Sequence, residues 1–271
     1  ELPRMADAPE GVRLAIAAPR GEAKSTFVSL FFVLWAVLTG RKHYILIIAD
    51  ALEQAASLLG AVKDELEFNE ALKRDFPGAG KGHVWNVGTV VTPGNVKIQA
   101  LGAGKRMRGL RHGPHRPDLI VLDDLENDGN VDKPEQRDKL QSWLQKTVLN
   151  LGAADGSMDV VYVGTLLHYD SVLARTLRKP LWKARTFRSI LRWPDRMDLW
   201  DEWESLLSSR GEAEARRFYR QHRVKMEAGA EVSWPASRPL YRLMCLRAED
   251  REAFDSEQQN DPLSANEAPF N

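Results

Sequence analysis

Short, uniformly apolar runs alternate along this chain with stretches in which apolar residues recur every three or four positions. The runs cover residues 12–17, 44–49, 96–100, 119–122 and 160–164, and each suits a strand buried on both faces. Helical patterns lie between several of them, at 25–39, 52–76 and 133–149. That alternation predicts an α/β fold: a mostly parallel central sheet flanked by helices on both sides. Between residues 76 and 101 the rhythm changes, and Gly and Pro separate short stretches at 84–87, 89–92 and 96–99. These predict a hairpin or meander inserted at a sheet edge. After Ser189 the sequence turns charged and Trp-rich, with a long amphipathic pattern over 197–228 that predicts a smaller helical lid or linker subdomain. Seven of the eight tryptophans (Trp35, Trp143, Trp182, Trp193, Trp200, Trp203, Trp234) read mostly as core or subdomain-packing residues. Residues 255–271 are polar with two prolines and read as a trailing linker. The expected organisation is a core over 1–190, a helical subdomain over 191–260, and the start of a linker over 261–271.

One junction in this pattern carries chemistry. The run at 12–17 leads into Ala18-Pro19-Arg20-Gly21-Glu22-Ala23-Lys24-Ser25-Thr26, which opens the apolar helix. A strand, a tight loop ending in Lys-Ser-Thr and then a helix is the setting of a phosphate-binding loop. Loop amides and the positive helix end surround an anion, Lys24 adds a full charge, and Ser25 can ligate Mg²⁺. Both glycines of the consensus spacing are alanines here, Ala18 and Ala23. Gly21 permits close approach of a phosphate, and Arg20 is a candidate for transition-state charge on the γ-phosphate.

The run at 119–122 ends in Asp123-Asp124, at the strand end where open α/β sheets bind ligands. Asp123 is read as the carboxylate of the Mg²⁺ shell, and Asp124 as a group that orients or deprotonates the attacking water. The run at 160–164 ends in Gly164-Thr165, a hydroxyl placed to couple loss of the γ-phosphate to the helix that follows. Before the acidic strand, residues 97–117 hold Lys97, Lys105, Arg106, Arg108, Arg111 and Arg116, two histidines and no acid. That basic loop suits either an arginine finger toward a neighbouring subunit or contact with DNA phosphates.

Composition narrows the picture modestly. Formal net charge is zero, so any nucleic-acid contact must come from local patches. Lys24 and Arg41 bracket the most apolar helix too closely for a membrane span of about 20 residues. Cys245 stands alone, which excludes an internal disulfide and fits a reducing cytosol. No secretory signal is present, and a first residue of Glu points to a processed or engineered fragment.

These residues together resemble the ATPase portion of the large terminase subunit, the DNA-packaging motor of tailed bacteriophages. The resemblance lies in PRGEAKST at 19–26, MRGLRHGPHRPDLIVLDDLEND at 107–128, KLQSWL at 139–144, VGTLLHYDS at 163–171 and EQQNDP at 257–262. It implies an ASCE-type P-loop NTPase fold and Mg²⁺-dependent ATP hydrolysis. It further implies a pentameric ring on the capsid portal protein, with a small terminase subunit as partner, moving double-stranded DNA in the host cytoplasm. Residues 19–26 (Pro19, Arg20, Gly21, Glu22, Ala23, Lys24, Ser25, Thr26) would bind nucleotide, Ser25 and Asp123 would hold the metal, and Gly164 and Thr165 would couple. The trans-acting arginine would be Arg108 or Arg111. Family members often carry Asp-Glu where this chain has Asp123-Asp124, which leaves the catalytic carboxylate between Asp124 and Glu126. The family's C-terminal nuclease has no counterpart after Asn260, so no nuclease activity is expected. A helicase-like DNA-dependent ATPase and a non-hydrolysing nucleotide- or DNA-binding module are the alternatives.

Overall fold

The computed structural model describes residues 1–8 and 10–262. The chain divides into two compact units, Glu1–Thr186 and Phe187–Asn271, a division just before the expected one.

The first unit is built on strands β1 (Arg13–Ala17), β2 (Tyr44–Ala49), β3 (Val84–Trp85), β4 (Thr89–Val91), β5 (Lys97–Gly102), β6 (Leu119–Asp123), β7 (Asp159–Gly164) and β8 (Lys183–Thr186). They form one sheet in the order β3-β4-β5-β2-β6-β7-β1-β8. From β5 to β8 every pairing is parallel, whereas β3, β4 and β5 form an antiparallel meander at one edge. Helices of this unit are α1 (Leu2–Ala6), α2 (Val33–Leu38), α3 (Leu52–Phe68), α4 (Glu70–Asp75), α5 (Asp128–Val131), α6 (Pro134–Lys146) and α7 (Val172–Leu177).

Side-chain alternation along the central strands sends odd and even positions to opposite cores. Ile45, Ile47, Leu119, Val121, Val161 and Val163 pack with Val28, Phe32 and the α3 residues Leu59 and Val62. Leu46, Ile48, Ile120, Leu122, Val160 and Tyr162 pack on the other face with Leu144 of α6 and Leu173 of α7. Each fully buried aliphatic side chain contributes about 1.5–3 kcal/mol. The same parity points Asp123, two residues beyond Val121, toward the helix that follows the phosphate-type loop.

Three details depart from the sequence pattern. The helix expected over 52–76 breaks at Asn69, whose backbone is extended and whose side chain caps α4 through the Ala71 and Leu72 amides. Strand β8 (Lys-Ala-Arg-Thr) is exposed along its whole length, so it carries no apolar signal; it is held by backbone pairing to β1. The helix after the loop begins with π-type hydrogen bonding over Thr26–Phe32 before tightening into α2.

The second unit contains a short antiparallel pair, β9 (Ile190–Arg192) with β10 (Glu231–Val232). Its helices are α8 (Met197–Arg210), α9 (Glu212–Glu227), α10 (Leu240–Glu249) and α11 (Arg251–Glu257). The amphipathic pattern over 197–228 is two helices, because Gly211 adopts φ 83° between them. Trp200, Trp203, Met226, Leu243 and Phe254 form its core, and Trp200 Nε1 donates to the Met226 carbonyl at 2.7 Å. The expected linker from residue 255 is corrected: Gln258, Gln259 and Asn260 are buried. Gln258 accepts from the Ser189 amide at 2.8 Å through its carbonyl, and Asn260 donates to the Phe187 carbonyl at 2.9 Å. Polar side chains stay buried there because they are hydrogen-bonded: Gln258 Oε1 accepts from Ser189 Oγ at 3.2 Å and from Arg238 Nη1. Residues 263–271, most of the expected final segment, lie outside the described residues. Among the described residues no helix is long and apolar enough to cross a membrane.

Candidate nucleotide site

The ends of β1, β6 and β7 converge at one edge of the first unit. Strand β7 lies between β1, which feeds the loop, and β6, which carries the acids. Ala18 donates its N–H to the Gly164 carbonyl at 2.9 Å, and Thr165 Oγ1 donates to the Ala18 carbonyl at 3.2 Å. The Gly-Thr strand end is therefore fastened to the first residue of the loop.

The loop keeps a left-handed turn at the second of its two missing glycines. Gly21 has φ 79°, and Ala23, at the second consensus glycine position, has φ 57°. A left-handed conformation costs a non-glycine residue about 1–2 kcal/mol. Ala23→Gly removes that penalty but adds about 0.5–1 kcal/mol of unfolded-chain entropy. The variant is expected to be more stable by up to about 1.5 kcal/mol, read as a raised midpoint in urea unfolding; a lowered midpoint would show that the loop is unstrained.

Two serines and one aspartate join the segments. Ser25 Oγ donates to Asp123 Oδ1 at 2.9 Å, and Ser29 Oγ donates to Asp123 Oδ2. Ser25 and Ser29 lie four residues apart on one helix face, so both hydroxyls reach the same carboxylate. Asp123 is 1% exposed. Burial pushes its pKa up to about 6, opposed by the Ser29 hydroxyl and raised further by neighbouring Asp124. Lys24 Nζ stands 3.2 Å from Asp124 Oδ2. Asp124 has φ 44° and is held by its N–H to the Val163 carbonyl at 3.0 Å. Strain of this kind concentrates where a side chain must leave the direction its strand dictates. A Cβ added to Gly164 would stand 3.2 Å from Leu173 Cδ2 and 3.3 Å from Asp124 Oδ1, so glycine there leaves room for both side chains.

Glu126 is engaged elsewhere. Its carboxylate accepts from the Val172 and Leu173 amides at 2.7 and 3.1 Å and from the Tyr162 hydroxyl at 3.2 Å. Burial raises its pKa, and the two amides at the start of α7 oppose that rise. Of the two candidate carboxylates, Asp124 alone pairs with Lys24.

Pro19 is buried, Arg20 and Thr26 are exposed, and Glu22 is half-buried. The basic loop runs from the end of β5 to the start of β6. Met107 is buried in the α6-side core, and Trp143 Nε1 donates to the Lys105 carbonyl at 2.9 Å. Lys105, Arg106, Arg108 and Arg111 are exposed. Neither Arg108 nor Arg111 hydrogen-bonds or ion-pairs with Lys24, Asp123 or Asp124.

Sequence reasoning missed Ser29 and the Asp170 network. Ser29 sits in the apolar helix four residues after Ser25, and that spacing was the available signal. Asp170 accepts from Arg175 Nε and Nη2 at 2.8 and 2.6 Å and from Arg137 at 3.2 Å. Hydrogen bonds from Arg175 hold its pKa down at about 2. A depressed carboxylate stabilises the fold above its unfolded value of 3.8, and that contribution is lost as pH falls through the folded value. Asp170→Asn should therefore lower the thermal midpoint near neutral pH, with the gap to the parent protein closing as pH falls from 4 toward 2. A gap that stays constant over that window would detach it from the ion pair.

The metal question is one of fit. Among the described residues no three His, Cys, Asp or Glu side chains cluster to hold a metal alone. Ser25 and Asp123 offer a hydroxyl and one carboxylate, the hard-oxygen set that Mg²⁺ uses when phosphates and waters complete its shell. The donors fit.

The sheet is mostly parallel and flanked by helices, with one strand, β7, between the loop strand and the acidic strand. Among solved structures, the chain is similar to the large terminase ATPase domain of Thermus phage P74-26: 15% identity, 97% of this chain and 92% of that chain covered, TM-score 0.46. A point mutant of the same domain matches at 12% identity over 97% and 93%, with a TM-score of 0.43. No protein-family model and no curated protein matches the chain.

Proposed function

We propose that this protein is an Mg²⁺-dependent ATPase that drives double-stranded DNA into a viral procapsid. The observation that carries the ATPase reading is the convergence of Ser25 on Asp123 and of Lys24 on Asp124 at adjacent strand ends. The packaging role rests on the resemblance of the motifs at 19–26, 107–128 and 163–171 to the terminase ATPase.

In this reading the amides and Lys24 bind the triphosphate, and the nucleotide's phosphates replace Asp124 as the partner of Lys24. Asp124, released from the ammonium, orients the attacking water and accepts its proton. Ser25 and Asp123 would hold Mg²⁺, which neutralises charge on the transferred phosphoryl group. Ser29 keeps the second oxygen of Asp123 fixed. Thr165, tied to Ala18, passes movement of the loop to β7 and the segment after it. Arg20 balances developing charge from within the loop, and Arg108 or Arg111 does so across an interface with another copy in a ring. Portal protein and small terminase subunit are the expected partners, in the host cytoplasm. The second unit acts as the lid or linker subdomain.

The test is phosphate release from ATP with Mg²⁺ and duplex DNA. Asp123→Ala should raise the Mg²⁺ requirement and remove most turnover. Mixing Arg108→Ala or Arg111→Ala chains with Lys24→Ala chains should restore partial turnover, because each kind of copy supplies what the other lacks. Absence of restoration for both arginines would refute the trans arrangement.

A further inference from the structure

An open cavity lies at the end of β1 opposite the phosphate-type loop. A cavity of about 450 Å³ is lined there by Arg13, Arg116, Asn150, Gly152, Ala153 and Ala154, among others. Arg13 opens β1 and the phosphate-type loop follows its last residue, Ala17, so about 15 Å of strand separates the two sites. Among the described residues neither guanidinium has a hydrogen-bond or ion-pair partner, and Arg13 is half-buried.

The loop between α6 and β7 supplies the other wall. The N–H groups of Gly152, Ala153 and Ala154 have no acceptor among the described residues. The one acid in this loop, Asp155, is turned to the Ser157 amide and hydroxyl at 2.9 and 2.7 Å and does not line the cavity. Loop position is fixed from below: Gly11 donates to the Gly156 carbonyl at 2.9 Å, and any Cβ on Gly11 would collide with that carbonyl. Two arginines without partners and three consecutive amides without acceptors line one cavity, groups of the kind that recognise a tetrahedral oxyanion.

We propose that this cavity binds a phosphate group, held by Arg13 and Arg116 and by the amides of residues 152–154. The group comes either from a nucleic-acid backbone or from free phosphate or a nucleotide. The site is independent of the nucleotide site, so it stands or falls separately from the ATPase reading.

Backbone-amide NMR of the full chain reads it directly. Inorganic phosphate, and separately a short DNA duplex, are titrated into the parent protein, Arg13→Gln, Arg116→Gln and Lys24→Ala. Amides 152–154 should shift with phosphate, at least about tenfold more weakly in either arginine variant, and unchanged in Lys24→Ala. Unchanged thermal midpoints keep the arginine variants interpretable. If the duplex also shifts these amides, the salt dependence of its binding should fall by a slope of about 0.9 per lost phosphate contact, which assigns the site to nucleic acid. A response to inorganic phosphate alone assigns it to free phosphate or nucleotide. No shift with either titrant, or shifts equally strong in both arginine variants, would overturn the proposal.

Discussion

Lys24→Ala is expected to reduce ATP turnover by about 10²–10³-fold, the usual effect of deleting one preorganised charge-stabilising donor. Nucleotide affinity should fall as well, since a hydrogen bond to a charged group contributes about 1.5–3 kcal/mol. The physical reason is that Lys24 is already positioned: its ammonium is held 3.2 Å from Asp124, with only 9% of the side chain exposed. Little reorganisation is needed when a phosphate takes the carboxylate's place. Stability should change little, because the partner left behind, Asp124, is 30% exposed and can be hydrated. The measurement is phosphate release with Mg²⁺ and duplex DNA, alongside a fluorescent-nucleotide titration. Phosphate release equal to that of the parent chain would leave the protein as a nucleotide- or DNA-binding module without turnover.

The second large effect separates two carboxylates. Asp124→Asn should cost about 10²–10⁴-fold in turnover, the range for loss of a general base, with nucleotide binding largely kept. Glu126→Gln should retain most turnover, because its oxygens face the start of α7 and the Tyr162 hydroxyl. Glu126→Ala should instead lower stability by about 1–2 kcal/mol, as removal of a helix cap does. If Glu126→Gln proved the more damaging to turnover, the general base would have to be reassigned to it.

The two positions show why a sequence motif underdetermines a site. Both acids follow the same strand, and a spacing of two residues gives no reason to prefer one. What separates them is backbone direction: Asp124 leaves the strand at φ 44°, and its side chain meets Lys24. Glu126 falls where α7 begins, 46 residues further on. The basic loop has the same ambiguity. Its charges are legible, but their reach is set by the anchoring of Met107 and Lys105 against the α6 side.

From its sequence alone this chain determined the strands with continuous apolar runs, because burial on both faces leaves no polar position in them. It also determined where the Lys-Ser-Thr loop falls, between a buried strand and an apolar helix, because the change of apolar period marks both boundaries. Only the tertiary structure decided that Ser29 shares Asp123 with Ser25, that β8 exists at all, and that Gln258–Asn260 are packed rather than trailing. Each of those depends on partners distant in the chain, and local pattern carries no information about which distant groups will satisfy a hydroxyl, an amide or an exposed strand.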